Sequence, residues 1–437
     1  MKLKKRSPWS WIPSLYIAES VPYTVVIVIS TIMYKRLDVS NTEIALYTAL
    51  LYLPWVIKPL WSPFIDIFKT KRHWILITQL IMGAAFAGIA FSLVSDDFFR
   101  YSLALMWLVA FNSATHDIAA DGFYLIELSS GDQAYFVGIR STFYRLGMIF
   151  CQGALVIFAG YLEQHSYLLE KLNFEIPQIK FAWLVTFLIL SLFLLSLALY
   201  HYFFIPVNLL DKSSDKKNFS EIISDFFKTF LLFFEKENIW LGIAFVLIYR
   251  LGESQLVKLA APFLLDAKSK GGLALNTGDV GLIYGTIGMI ALSAGGILGG
   301  IAVAKKGLKY WIWWMLVAIN LPNLVYVYLS FSLSSSFFII SSCVAIEQFG
   351  YGFGFTAIMM YMMMIAEGKY KTVNYAIATG FMALGMMLPG SISGWIQEMI
   401  GYKLFFIWVV IATVPSFILA NFLNFDAQFG KKTTENR

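Results

Sequence analysis

The sequence predicts an all-α polytopic membrane protein of twelve transmembrane helices, and three observations carry that reading. Hydrophobic residues make up 59% of the 437-residue chain and charged residues 14%, with a mean hydropathy of +0.69. An ordinary soluble domain is nearer half apolar and a quarter charged, so this much apolar surface needs lipid as its solvent. Apolar runs long enough to cross a bilayer recur from one end of the chain to the other. Finally, the net charge of +6 is not gathered into one basic patch for nucleic acid. Lys and Arg fall in short clusters between the apolar runs, as loop charges facing an anionic leaflet do.

A hydrocarbon core of about 30 Å takes about 20 helical residues. Segments of that kind fall near 9–34, 42–66, 74–95, 101–128, 135–162, 181–207, 239–266, 278–303, 310–331, 335–366, 372–399 and 403–424. The first follows a basic start, "MKLKKRSPWSW", as a signal peptide would. Its apolar part is long, however, holds Pro13, Glu19 and Pro22, and has no small-residue cleavage site, so it reads as a retained spanning helix. The second holds Pro54, Pro59 and Pro63, which a spanning helix tolerates where neighbours re-satisfy its backbone. Lys2, Lys4, Lys5, Arg6, Lys69, Lys71, Arg72, Lys212, Lys216, Lys305 and Lys306 lie on one side of this topology. The positive-inside rule therefore predicts that both termini are cytoplasmic. The expected organisation is a six-helix bundle over 1–207, a cytoplasmic linker over 208–238 with a possible interfacial helix in "FSEIISDFFKTFLLFFE", and a second bundle with a short tail over 239–437.

Weak echoes relate the two halves. Ala18-Glu19-Ser20 recurs as Gly252-Glu253-Ser254, Glu43-Ile44-Ala45-Leu46 as Asp279-Val280-Gly281-Leu282, and Leu146-Gly147-Met148 as Leu384-Gly385-Met386. The offsets, 234, 236 and 238 residues, are nearly constant and in chain order, as a parallel internal repeat requires. Two six-helix halves of one topology resemble the major facilitator superfamily, in which the first helix of each triplet lines the cavity and the third faces lipid. The interiors of spans 3, 6, 9 and 12 carry no charge, whereas spans 1, 4, 7 and 10 hold Glu19, then Asp117, Asp121 and Glu127, then Arg250, Glu253 and Lys258, then Glu347. Charge at membrane depth costs at least a few kcal/mol unless it faces a wet or paired interior. This pattern of three predicts a central aqueous cavity.

Several of these residues could serve transport. Asp117 and Asp121, in "SATHDIAADGFYLIEL", are four apart and share a helix face. They could load and release a proton, or one could simply pair with Arg140 or Arg145 of the next span. Arg140 and Arg145 keep their charge and grip carboxylates in a fork, so they fit an anionic substrate or a brace between spans 4 and 5. Lys58 could snorkel or reach Asp117 or Glu19. Asp66, Lys71 and Arg72 look like an inner gating loop, while Arg250 and Glu253 at i,i+3 most simply pair with each other. Glu347 opens a run with Gly350, Gly352 and Gly354 suited to close helix packing. Tyr124 and Tyr351 could stack on sugar rings. Cys151 and Cys343 sit in apolar segments, and neither they nor the four histidines have metal-ligand spacing. No cofactor is expected; the driving force would be a proton gradient.

The stretches "IKPLWSPFID", "SATHDIAADGF", "YRLGM", "YRLGES", "DVGLIYGTIGM" and the Glu347 glycine run together resemble the AmpG muropeptide permeases and, more distantly, the acetyl-coenzyme A transporters. Lys58, Asp117, Asp121, Arg145 and Glu347 match motif positions of that family. The resemblance implies proton-linked import of anhydro-muropeptides across a bacterial inner membrane, in peptidoglycan recycling. His116 stands where the family more usually has glutamine, and Glu19 where a small or neutral residue is common. An acyl-coenzyme A or other organic-anion carrier is the alternative within transport. A membrane-embedded enzyme would need a nucleophile–base or metal constellation, and no HExxH, Gly-x-Ser-x-Gly or Ser/His/Asp arrangement occurs. A sensor would bring a soluble signalling domain. The expected partners are lipid and a small anionic amino-sugar, with the protein acting as a monomer.

Overall fold

A computed structural model describes residues 6–171, 175–208, 211, 228, 230–368 and 371–431. Among these, nine helices are long and apolar enough to cross a membrane. They are α1 (Pro8–Arg36), α3 (Lys71–Ser92), α5 (Gly138–Gln164, in a helix that begins at Ser130), α6 (Gln178–Phe204), α7 (Ile239–Leu265), α8 (Thr277–Lys306), α9 (Leu308–Ser332), α10 (Phe337–Ala366) and one long helical stretch over Val373–Ala420. That stretch breaks at Gly401, whose φ of 74° and ψ of 166° are non-helical, which makes α11 (371–400) and α12 (402–420). Two more segments complete twelve. The helix α4 (Phe98–Glu127) has 30 residues, about 45 Å at 1.5 Å per residue, but carries its charges inside. The other, α2 (41–67), is interrupted. Its pieces Asn41–Leu50, Leu53–Ile57 and Ser62–Ile67 are joined by a 3₁₀ turn at Lys58–Leu60, because Pro54, Pro59 and Pro63 each remove a backbone donor. Of the expected interfacial helix in the linker, residues 228 and 230–234 are described and helical, and the rest lies outside the described residues.

The chain divides into two compact units, Met1–Asp38 with Ile57–Ser224, and Val39–Val56 with Asp225–Arg437. In the first, Trp11, Ile12, Leu15 and Tyr16 of α1 pack on Ile75 of α3 and on Ala119, Ala120 and Phe123 of α4. Gly147 of α5 lets α1 approach so closely that a Cβ there would collide with Ser20 Oγ. The start of α3 is tied down by Asp211, whose carboxylate accepts from the backbone N–H groups of Lys71 (2.8 Å) and Arg72 (3.0 Å). These are orphan donors of a helix N-terminus, where negative charge is favoured.

In the second unit, Gly385 of α11 repeats the role of Gly147: its Cβ would lie 2.5 Å from the Leu247 carbonyl of α7. The first and fifth helices of each half thus meet at a glycine of the same Leu-Gly-Met echo. The glycine run of α10 is packed likewise, Gly350 against the Ala318 carbonyl of α9, Gly352 against that of Leu292 on α8, and Gly354 against Met315 of α9. Residues 39–56 are anchored in this unit by polar contacts, buried at Asn41 and exposed at Thr42. Asn41 Nδ2 donates to Gln397 Oε1 (2.7 Å) and to the Tyr402 hydroxyl (2.9 Å), which itself donates to Asp266 Oδ2 (2.7 Å). Thr42 gives its N–H and hydroxyl to Glu398 at 3.0 and 2.5 Å.

Candidate functional site

In the first unit the ionisable residues of four helices converge. A cavity of about 220 Å³ is lined by Tyr16 and Glu19 of α1, Asp121 of α4, and Arg140, Ser141, Tyr144 and Arg145 of α5. Arg140 Nη1 donates to Asp121 Oδ1 and to the Tyr16 hydroxyl, both at 2.8 Å, and the Tyr16 hydroxyl also donates to Asp121 Oδ1 at 3.0 Å. The guanidinium carbon lies 5.1 Å from the Tyr16 ring centre and 5.0 Å from that of Tyr124, so two aromatic faces hold the cation in place. Tyr124 spends its hydroxyl elsewhere, on the Gln133 carbonyl, and offers the site a ring face.

One turn along α4 a second cluster forms. Lys58 Nζ stands 3.7 Å from Asp117 Oδ2, a long ion pair made possible by the broken α2, which delivers the lysine from its 3₁₀ turn. Glu19, His116 and Asp117 bring potential ligand atoms within 4.8 Å of one another. Glu19 and His116 are buried, and Glu19 Oε2 and His116 Nδ1 have no hydrogen-bond partner among the described residues. Two carboxylates and an imidazole are a donor set that can hold a proton or a small cation. The two aspartates, four residues apart, therefore serve different partners: Asp121 an arginine, Asp117 a lysine and the Glu19–His116 pair.

In the second unit Arg250 Nε donates to Glu253 Oε2 at 2.7 Å and Nη2 to the Tyr351 hydroxyl at 2.6 Å. Its guanidinium also lies over the Tyr351 and Phe355 rings, at 4.9 and 5.1 Å. Glu347 is buried and accepts from Gln348 Nε2 at 3.0 Å. Lys258, buried on α7, donates to Thr48 Oγ1 at 3.0 Å and faces the Tyr52 ring.

Of the expected inner gate, Lys71 and Arg72 are described and the Asp66 side chain lies outside the described residues. Arg72 Nη2 donates to the Tyr202 carbonyl and Nε to that of Ile205, and Asp211 holds the backbone of both. Reasoning from charge alone passed over Asp211, which arrives from 140 residues away. It also passed over Gln79 and His201, neutral residues in the helices without charge. Gln79 Nε2 meets His116 Nε2 at 2.9 Å, and His201 Nδ1 meets Gln79 Oε1 at 2.9 Å.

The sequence profile described as Major Facilitator Superfamily matches residues 15–388. The anhydromuropeptide permease of Escherichia coli K12 is 25% identical over 370 residues, covering 84% of this chain and 69% of that protein. A Rickettsia felis protein named as transporter AmpG 4 is 26% identical over 424 residues, covering 94% and 95%. Among solved structures, the D-xylose-proton symporter superposes with a TM-score of 0.70 at 11% identity, covering 97% of this chain and 98% of that one. The nucleoside transporter NupG superposes at 0.69 and 12%, covering 95% and 98%. With twelve helices in a repeated order, charge clustered inside the bundles and a family match along most of its length, the chain belongs to the Major Facilitator Superfamily of membrane transporters.

Proposed function

We propose that this transporter imports anhydro-muropeptides, or closely related amino-sugar anions, across the bacterial cytoplasmic membrane by proton symport and alternating access. The relatives named for muropeptide transport support the substrate class. The observation that carries the reading is the cavity where Arg140 and Arg145 stand among Tyr16, Glu19, Asp121 and Tyr144. Arginine gives a carboxylate-bearing ligand a permanent, forked cation, and the tyrosines supply faces and hydroxyls for a sugar.

Charge balance ties the ligand to a proton. The clusters of the first unit combine Lys58, Arg140 and Arg145 with Glu19, Asp117 and Asp121, three cations against three carboxylates. An anion added to this set at membrane depth leaves a net negative charge, which a low-dielectric site penalises. Protonating one carboxylate restores neutrality, so proton and substrate bind more tightly together than apart. In this reading Asp117 and Asp121 belong to the coupling machinery and Lys58, Arg140, Arg145 and Tyr124 serve the substrate; within the second unit, Glu347 and Tyr351 are the substrate-binding candidates and Arg250 with Glu253 an ion pair. The protein works as a monomer with both termini cytoplasmic.

The test is uptake into proteoliposomes containing the purified full-length protein under an imposed pH gradient. Accumulation of N-acetylglucosaminyl-anhydro-N-acetylmuramic acid, and none of acetyl-coenzyme A, is the expected result. The reverse preference assigns the cavity to acyl-coenzyme A, and accumulation of neither refutes the proposal.

A further inference from the structure

A polar chain runs through the interior of the first unit. Ser14 Oγ meets His201 Nε2 at 2.9 Å, His201 Nδ1 meets Gln79 Oε1 at 2.9 Å, and Gln79 Nε2 meets His116 Nε2 at 2.9 Å. Its members come from α1, α6, α3 and α4 in turn. Gln79, His116 and His201 are all fully buried, at 0% exposure. Burying three such groups among apolar helices costs several kcal/mol unless every donor and acceptor is matched. Each nitrogen and oxygen of the two rings and the amide has a partner in the chain except His116 Nδ1, which has none among the described residues; a ring nitrogen of His116 lies within 4.8 Å of a carboxyl oxygen of Glu19 and of Asp117.

The chain dictates what that atom is. An amide has a donor end and an acceptor end. With Gln79 Oε1 accepting from His201 Nδ1, its Nε2 donates to His116 Nε2, which must then be the unprotonated nitrogen. His116 consequently carries its hydrogen on Nδ1, the unmatched nitrogen beside the Glu19–Asp117 cluster. If Gln79 turns over, every bond in the chain reverses: His116 donates from Nε2, Gln79 donates to His201 Nδ1, and His201 Nε2 donates to Ser14. His116 Nδ1 then bears a lone pair. The first arrangement suits an ionised carboxylate, the second a protonated carboxyl that donates to the ring. No intermediate arrangement satisfies the buried groups.

We propose that Glu19, His116 and Asp117 form the carrier's proton-binding site, and that the Gln79–His201–Ser14 chain switches the His116 tautomer to match its loaded and empty states. This rests on the reading of the protein as a proton symporter and names where the proton sits. The proton arrives from the cavity that Glu19 lines, forms an O–H bond on the Glu19 carboxyl, which donates to His116 Nδ1, and leaves the same way. The other charged or titratable groups facing the cluster are Tyr16 on α1, Lys58 on α2, Asp121 on α4, and Arg140, Tyr144 and Arg145 on α5. Asp121 is committed to Arg140 and Tyr16, and Asp117 faces Lys58. Of the three carboxylates, Asp117 and Asp121 stand in ion pairs, and Glu19 is the one with a buried oxygen, Oε2, that has no hydrogen-bond partner among the described residues.

The experiment measures substrate-triggered proton uptake with a pH-sensitive dye enclosed in proteoliposomes of the full-length protein, using the anhydro-disaccharide as substrate. Wild type should show the signal and Glu19→Gln should lose it, falling to background. His116→Gln keeps a partner for Gln79 but nothing at the Nδ1 place, and Gln79→Met cuts the chain. Each should move the pH midpoint of uptake by about one unit in the same direction, and the double variant should move it no further. A wild-type signal in Glu19→Gln overturns the proposal, as do additive shifts for His116 and Gln79. If Glu19→Gln fails to reach the membrane folded, the His116→Gln and Gln79→Met pair decides alone: additive shifts, or no shift in either, overturn it. Uptake by wild type driven by a sodium or zinc gradient at constant pH, and lost in His116→Gln, would make the site one for a metal cation instead. If wild type itself moves no protons, the symport reading fails with it.

Discussion

Arg140 and Asp121 meet at 2.8 Å with the Tyr16 hydroxyl within hydrogen-bond distance of both, so one contact joins α1, α4 and α5 around the cavity. The pair is half open: the Asp121 side chain is 50% exposed. Such a pair adds little to stability, which suits a contact that a substrate carboxylate can displace. Arg140→Lys should keep the charge, lose the fork and the two-ring stacking, and raise KM by about tenfold with expression unchanged. Uptake kinetics at several substrate concentrations check this.

Asp117 and Asp121 differ in their partners, and their amides should differ accordingly. Asp117→Asn leaves Lys58 beside the Glu19–His116 pair without its opposing charge. We expect it to abolish accumulation driven by a pH gradient while counter-exchange of substrate continues in part. Asp121→Asn should lower both, because it also releases Arg140. Equal accumulation in wild type and both variants would remove the aspartates from coupling.

Arg250 and Glu253 are the buried counterpart. Their side chains are 7% and 0% exposed, and removing one partner strands a charge, typically costing about 3–5 kcal/mol. Glu253→Gln should therefore lower the Tm of the purified protein substantially. Arg250→Met with Glu253→Leu should recover most of that stability. The double variant should nonetheless transport poorly, since Tyr351 also loses the cation it binds.

Asp211 predicts a stability effect remote from the cavity. Asp211→Ala frees two N–H groups at the start of α3 and should cost about 1 kcal/mol, visible as a lower Tm with KM unchanged. Asp211→Asn, which keeps acceptor oxygen, should cost less.

Gly352 approaches the Leu292 carbonyl too closely for any side chain. Gly352→Ala should separate α8 from α10 at a cost of about 1–3 kcal/mol, measurable by thermal unfolding in detergent. Gly300, whose Cβ would meet nothing within 4 Å, provides the control: Gly300→Ala should be neutral.

Much of this was legible in the chain because bilayers impose simple rules. Long apolar runs mark helices, and charge inside them marks a shared interior; Glu19, Lys58, Asp117, Asp121 and Arg140 were visible on that basis, although their pairing was not. Which aspartate meets which cation depends on the turn of α2 at Lys58 and on the rotation of α5, neither of which leaves a periodic signal. The Leu-Gly-Met echo was legible as a repeat, and the packing of Gly147 and Gly385 against the first helix of each half supplies its physical cause. Gln79, His201 and Asp211 were not legible. Their partners lie 37, 122 and 140 residues away; polar residues such as Gln79 and His201 in an apolar helix look the same whether they face lipid, backbone or another helix, and Asp211 is one charge among several in the linker.

The symport claim is tested most directly by thermodynamics, not rate. In proteoliposomes clamped at zero voltage, the steady-state ratio of anhydro-disaccharide inside to outside should rise with the imposed pH difference, about tenfold per pH unit for each proton carried. A ratio that stays at one whatever the pH difference would contradict the account, however fast the substrate equilibrates.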